Sequence, residues 1–300
     1  KLPEVGETPL LKCIDKDFYY DIYSECDFES LYKINDFVEE VFCPEVLVIE
    51  LTQQCNLRCE YCIYSGAYHF ERVHNNATIS LEMIDTIIKK WFSSAEHPQN
   101  VSFYGGEPLL NFECISHFVT TLKSMAIDIG YYITTNGILL ENDEICEFLV
   151  HHDFHVNISY DGLNQNLYRK DLSKKGIASR IEKVIQELMR KFPSFVEKNV
   201  RLSVTLAPPY RLMENARYFE THPILSKLSL IINTINQDDN SFIEKFDMRI
   251  ENARLSDDYH QLANRYIFDE LQTSSKFLQA QFVRSLNRID GREMCFPRKN

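Results

Sequence analysis

"EVLVIELTQQCNLRCEYCIYSG" (residues 45–66) joins a β-branched, apolar run to three cysteines set within eight residues, Cys55, Cys59 and Cys62. Residues 45–52 have the composition of a buried strand, and the cysteine stretch follows where that strand must end. Downstream, a strand-and-helix alternation continues to about residue 236. "SLEMIDTIIKKWF" predicts a helix capped by Ser80, with Leu81, Ile84, Ile88 and Trp91 on one face. "NVSFYGGEP", "YYITTNG", "FHVNISYDG", "VRLSVTLAPP" and "LSLIINTI" supply five more strands. Between them lie the helical periods of "FECISHFVTTLKSM", of "NDEICEFLVHH" and of the stripe Ile177, Ile181, Val184, Ile185 and Leu188.

Strands separated by whole helices cannot be hairpin neighbours, so they run parallel with right-handed crossovers. The expected fold is α/β, a partial parallel (β/α)6 barrel over residues 45–236. A short amino-terminal segment, 1–44, precedes it as a barrel cap or partial leader-recognition module, and a mostly helical extension, 237–300, follows. In this register the cysteines, "GGEP", "TTNG" and "SYDG" each sit just past the carboxyl end of a successive strand, the rim on which barrel enzymes assemble their sites.

The chain of 300 residues is 44% hydrophobic and 25% charged, which is globular, and has no apolar run of about 18 residues to cross a bilayer. A formal charge of −12 opposes tracking of phosphates, so nucleic acid is excluded as a partner in favour of a small molecule, protein or peptide. Nine unevenly spaced cysteines suit metal binding in a reducing cytoplasm better than a disulfide scaffold. The chain begins at Lys1 and not at Met, which points to a trimmed sequence.

Cys-x-x-x-Cys-x-x-Cys admits two metal readings. Zinc would close a tetrahedron with a fourth ligand, for which His69 and His74 are the candidates. An iron–sulfur cubane would take one thiolate per iron and leave one iron open. With "GGEP" at Gly105–Pro108, then "TTNG" and "SYDG" in that order, the chain resembles the radical SAM superfamily over roughly residues 45–236. Within it, the similarity is to SPASM or Twitch-type peptide maturases, especially those that form thioether crosslinks in cysteine-rich ribosomal peptides.

The resemblance implies a 4Fe–4S cluster on Cys55, Cys59 and Cys62, with S-adenosylmethionine (SAM) on the open iron. It implies that Gly105 and Gly106 let backbone approach the methionine moiety, that Glu107 lies beside its amino group, and that Tyr61 lies along the adenine. Asn136 and Ser159 would serve the ribose or carboxylate, and Arg169 the methionine carboxylate, although "SYDGLNQNLYRKD" departs from the family in its Leu163 and its early arginine. Asp161 would contact substrate or cap the following turn. Cys295, followed by Phe296 and Pro297, looks like the first ligand of an auxiliary-cluster region inside which the sequence stops. Cys114 and Cys146 fall in apolar helical patterns and read as buried thiols; His69 and His74 read as surface or packing residues.

The implied activity is reductive cleavage of SAM to a 5′-deoxyadenosyl radical that modifies a leader-bearing ribosomal precursor peptide, with a flavodoxin or ferredoxin as electron donor and thioether formation as the first reading. Alternatives are a formylglycine-forming anaerobic sulfatase maturase and a carbon–carbon crosslinking or epimerising peptide maturase. The alternative of another class is a metal-stabilised peptide-binding scaffold without turnover. The residue that would act as catalytic acid or base is not identified.

Overall fold

The structure, a computed structural model, describes residues 43–237 and 240–267. Six strands form one sheet in the order β1 (Val46–Thr52), β2 (Asn100–Gly105), β3 (Gly130–Thr135), β4 (His155–Ser159), β5 (Val200–Leu206) and β6 (Ser229–Thr234), each parallel to its neighbour. The helices are α1 (Leu81–Trp91), α2 (Phe112–Ser124), α3 (Asp143–His151), α4 (Gln165–Tyr168), α5 (Ala178–Lys191), α6 (Pro193–Asn199), α7 (Leu212–Thr221) and α8 (Met248–Ile267). Residues 1–42 of the amino-terminal segment, the helical extension past α8, and Cys295 lie outside the described residues.

The local signals act as chemistry requires. Ser80 accepts a hydrogen bond from Met83 N at 3.2 Å and starts α1; Asn142 does the same for Glu144 N at 2.8 Å and starts α3. On α5, Ile181, Val184, Ile185 and Leu188 are all buried, each worth about 1.5–3 kcal/mol against leaving it in water. With the apolar faces of the other helices they join Val101, Phe103, Ile133, Val156, Ile158, Leu202 and Val204 of the sheet in the main core. Cys114 and Cys146 are buried in that core, their thiols 3.6 Å from Ile79 O and 2.9 Å from Leu140 O.

On β2 to β5 the opposite sheet face is mostly polar. Ser102, Tyr104, Thr134, Asn157, Ser159, Ser203 and Thr205 alternate with the core residues, as period-two strands demand. One cavity of about 290 Å³ touches Tyr104 of β2, Thr134 of β3, Ser159 of β4, Thr205 of β5 and Asn233 of β6, along with the loop after β1. A flat six-strand sheet would hold its outer strands roughly 24 Å apart at the usual spacing, so the sheet is curled around this cavity. Among the described residues β1 and β6 do not pair, and the curl is a partial barrel. Loops close its rim: Ser241 N and Oγ donate to Ala67 O at 2.9 and 3.2 Å, and Tyr68 bridges to Asn240.

Candidate active site

The cysteine loop leaves β1 at Thr52 and is held from three sides. Gly106 N donates to Thr52 O and Glu107 N to Gln54 O, both at 2.8 Å, which extends the β1–β2 ladder to the residue before Cys55. Gln53 N donates to Ala77 O at 2.8 Å on the other edge. Arg58 N and Glu60 N donate to Lys170 O and Tyr168 O, so the segment after α4 backs the loop. The Arg58 guanidinium turns back onto Cys55 O and Leu57 O, each at 2.7 Å, and Leu57 anchors the loop in the core.

Cys55, Cys59 and Cys62 are free thiols lining the cavity. Leu57 N points at Cys55 Sγ and Tyr64 N at Cys62 Sγ, each at 3.4 Å. Burial pushes the Cys55 thiol up to about 11 and Cys59 to about 12, and raises Cys62. The metal-free thiols are therefore protonated at neutral pH, and each must release a proton to become a thiolate ligand.

Every other expected site residue among those described, Tyr61, Gly105, Gly106, Glu107, Asn136, Ser159 and Arg169, lines the same cavity. Arg169, Glu107 and Tyr61 also have side-chain partners within the protein. Arg169 donates from Nε to Asp161 Oδ2 at 2.7 Å and from Nη2 to Oδ1 at 3.2 Å, so its planar fork is held against a carboxylate of the protein itself. Asp161 accepts in addition from Thr205 N at 2.9 Å and from the Tyr61 hydroxyl, so it ties β4 to β5 and neither caps a turn nor faces outward.

The Glu107 carboxylate accepts from Thr135 Oγ1 at 2.7 Å, Asn136 N at 2.8 Å and Leu109 N at 3.2 Å, which ties it to the β3 exit. Burial raises it to about 7. Tyr61 packs edge-on to Tyr168 and Phe242 in a second apolar cluster with Ala207 and Ile235, and forms the cavity's dry wall. A Cβ on Gly105 or Gly106 would overlap the carbonyl oxygen of Thr52 or Gln54, so these glycines are required first by the β1–β2 approach beneath the cysteine loop. Gly105 also has φ +143°.

Asn136 reaches the loop, with Nδ2 2.7 Å from Asn56 Oδ1 and 4.0 Å from Cys55 Sγ. Ser159 lies at the end of β4 on the cavity wall. Sequence reasoning left out Tyr64, Tyr68, Tyr104, Thr134, Ser203, Thr205, Asn233 and Asn236 on that wall. For the strand residues, the signal was the polar half of each alternating run.

The donor set tests the two metal readings. Among the described residues no group of three or more His, Cys, Asp and Glu side chains is gathered to hold a single metal ion. His69 is exposed, and His74 stands 3.8 Å from Cys62 Sγ alone. Three thiols lining one cavity, with no fourth His, Cys, Asp or Glu gathered beside them among the described residues, suit a cubane with one open iron better than a closed zinc site.

Fold and site thus define a parallel α/β partial barrel with a three-cysteine cluster loop at the carboxyl end of its first strand. Residues 49–205, more than half of the chain, match the radical SAM superfamily, and the chain belongs to it. It is a radical SAM enzyme, of a superfamily whose cofactors are a 4Fe–4S cluster and SAM.

The cysteine-type anaerobic sulfatase-maturating enzyme of Clostridium novyi (strain NT) is 28% identical over 195 residues, 61% of this chain and 52% of that one. The probable GTP 3′,8-cyclase of Methanocaldococcus jannaschii is 29% identical over 259 residues, 83% of this chain and 78% of that one. The solved structure of native anSMEcpe with bound AdoMet and Cp18Cys peptide superposes with a TM-score of 0.51 at 23% identity, covering 63% of this chain and 50% of that one, a likeness of fold. The chain spans about half the length of the sulfatase-maturating relatives it matches. Among the described residues no helix is long and apolar enough to cross a membrane.

Proposed function

We propose that Cys55, Cys59 and Cys62 ligate the 4Fe–4S cluster and that the enzyme modifies a side chain of a peptide. Held there, the cluster and SAM would supply radical chemistry able to take hydrogen from an unactivated carbon. The chain's own residues hold and shelter the reactants. Gly106 and Glu107 fix the loop through Thr52 and Gln54, Asn136 braces it through Asn56, and the Tyr61, Tyr168 and Phe242 cluster keeps water from one wall.

The observation that carries the peptide reading is the charge of the cavity. Its strand-end lining is hydroxyl, amide and tyrosine, and Arg169, the one cation among the described residues lining it, is consumed by Asp161. Such a wall suits the amides and side chains of a peptide.

Thioether formation from a substrate cysteine is our first reading of the product. Formylglycine formation is the second, supported by the similarity to sulfatase-maturating enzymes. The proposal includes a leader-bearing ribosomal precursor, whose basic leader would complement the charge of −12, a flavodoxin or ferredoxin as donor, and a cytoplasmic location. Anoxic incubation with SAM, reductant and either a cysteine-rich precursor or a cysteine-containing sulfatase peptide, read by mass spectrometry, tests it. Loss of two hydrogens from the precursor supports the thioether reading, and conversion of a peptide cysteine to an aldehyde supports the second. Formation of 5′-deoxyadenosine with neither peptide altered would contradict both.

A further inference from the structure

The three thiols have unequal surroundings. Cys55 Sγ faces Leu57 N and, at 4.0 Å, Asn136 Nδ2. For Cys59 the main influence opposing its burial is the Arg169 charge. Cys62 Sγ faces Tyr64 N and, at 3.8 Å, Nε2 of His74, a residue twelve positions on that reaches back over the loop.

The imidazole is held in place from several directions. His74 N donates to Tyr64 O at 3.1 Å, and the ring stands edge-on to the Tyr64 ring with centroids 6.0 Å apart. Tyr64 is itself covered by the Arg72 guanidinium, 3.6 Å above its ring, and Arg72 is ion-paired to Glu50 of β1. Nδ1 lies 3.4 Å from Gln53 O. A side chain fixed this firmly beside a thiol has more than a packing role available to it.

We propose that His74 is a positioning residue for the cluster: its Nε2–H donates a hydrogen bond to the Cys62 thiolate and thereby raises the cluster's reduction potential. The inference rests on the assignment of Cys55, Cys59 and Cys62 as ligands. A coordinated thiolate accepts hydrogen bonds and has no proton to give, so across this contact the proton is assigned to Nε2. That tautomer gives up a long Nδ1–H contact to Gln53 O, 3.4 Å away, and the carbonyl keeps the bond from Asn75 N at 3.4 Å. An N–H aimed at a cluster sulfur stabilises the more negative, reduced state, which is the sense of the shift.

The test is a potentiometric titration followed by electron paramagnetic resonance on cluster-loaded wild type, His74→Phe and His74→Gln, with iron and sulfide measured for each. His74→Phe keeps a ring against Tyr64 but loses the donor; its reduced-to-oxidised ratio at fixed potential should fall on the order of tenfold, about 59 mV for one electron. His74→Gln keeps an N–H and should stay near wild type. Equal potentials in all three at equal iron content would overturn the inference, and so would equal shifts in both variants. Independently of variants that load poorly, pulsed resonance on reduced wild type grown with heavy-nitrogen histidine should resolve a weak nitrogen coupling; a loaded protein without it overturns the inference. Wild type that takes up no cluster would instead overturn the ligand assignment beneath it.

Discussion

Arg169 grips Asp161 at two points, Nε to Oδ2 at 2.7 Å and Nη2 to Oδ1 at 3.2 Å, with both residues buried. The pair joins the exit of β4 to the segment that backs the cysteine loop, and Thr205 N ties β5 to the same carboxylate. Removing one partner strands a buried charge. Asp161→Ala should therefore lower unfolding free energy by about 3–5 kcal/mol, while an Asp161→Asn, Arg169→Gln double variant should lose less. Denaturant unfolding of the anoxic protein measures both, and a loss under about 1 kcal/mol for Asp161→Ala would contradict the pairing.

Glu107 predicts a pH dependence. Burial raises its carboxyl to about 7 from 4.5, so between those values the folded chain holds a proton that the unfolded chain has released. Stability on this group's account is full at low pH and declines as pH rises from about 4.5 to about 7, by on the order of 3 kcal/mol. Glu107→Gln should flatten that decline. Thermal melts across the window check it, and an unchanged slope in the variant would contradict it.

Gly106→Ala should weaken more than cofactor binding. The new Cβ would overlap Gln54 O, and Gln54 immediately precedes Cys55. Overpacking of this kind costs about 1–3 kcal/mol, and the displaced loop should hold less iron. Iron and sulfide content beside a melting curve reads both effects; normal iron content with a normal melt would contradict the clamp.

The six strands, the Ser80 cap and the apolar face of α5 were legible in the sequence because each is set by neighbours within a turn or a strand. The cysteine loop was legible for the same reason. Partners of buried polar groups were not: Glu107 meets Thr135 across two loops, and Tyr61 meets Asp161 from 100 residues away. A residue type and its motif position do not say which loop will face it. His74 read as a packing residue because nothing in "ERVH" says that the chain folds back on Cys62. The polar cavity wall was written in runs such as "NVSFYG", whose Ser102 and Tyr104 alternate with Val101 and Phe103, and it emerges only once the sheet curls.

The account depends on three thiolates holding a cubane with an open iron. Anoxic reconstitution of wild type and of Cys55→Ala, Cys59→Ala and Cys62→Ala, followed by iron and sulfide analysis and by assay of 5′-deoxyadenosine with SAM and reductant, tests it most directly. The prediction is one 4Fe–4S cluster and 5′-deoxyadenosine from wild type, with SAM cleavage abolished in every single variant. Wild type carrying one zinc and no iron, or any of the three variants cleaving SAM at the wild-type rate, would contradict it.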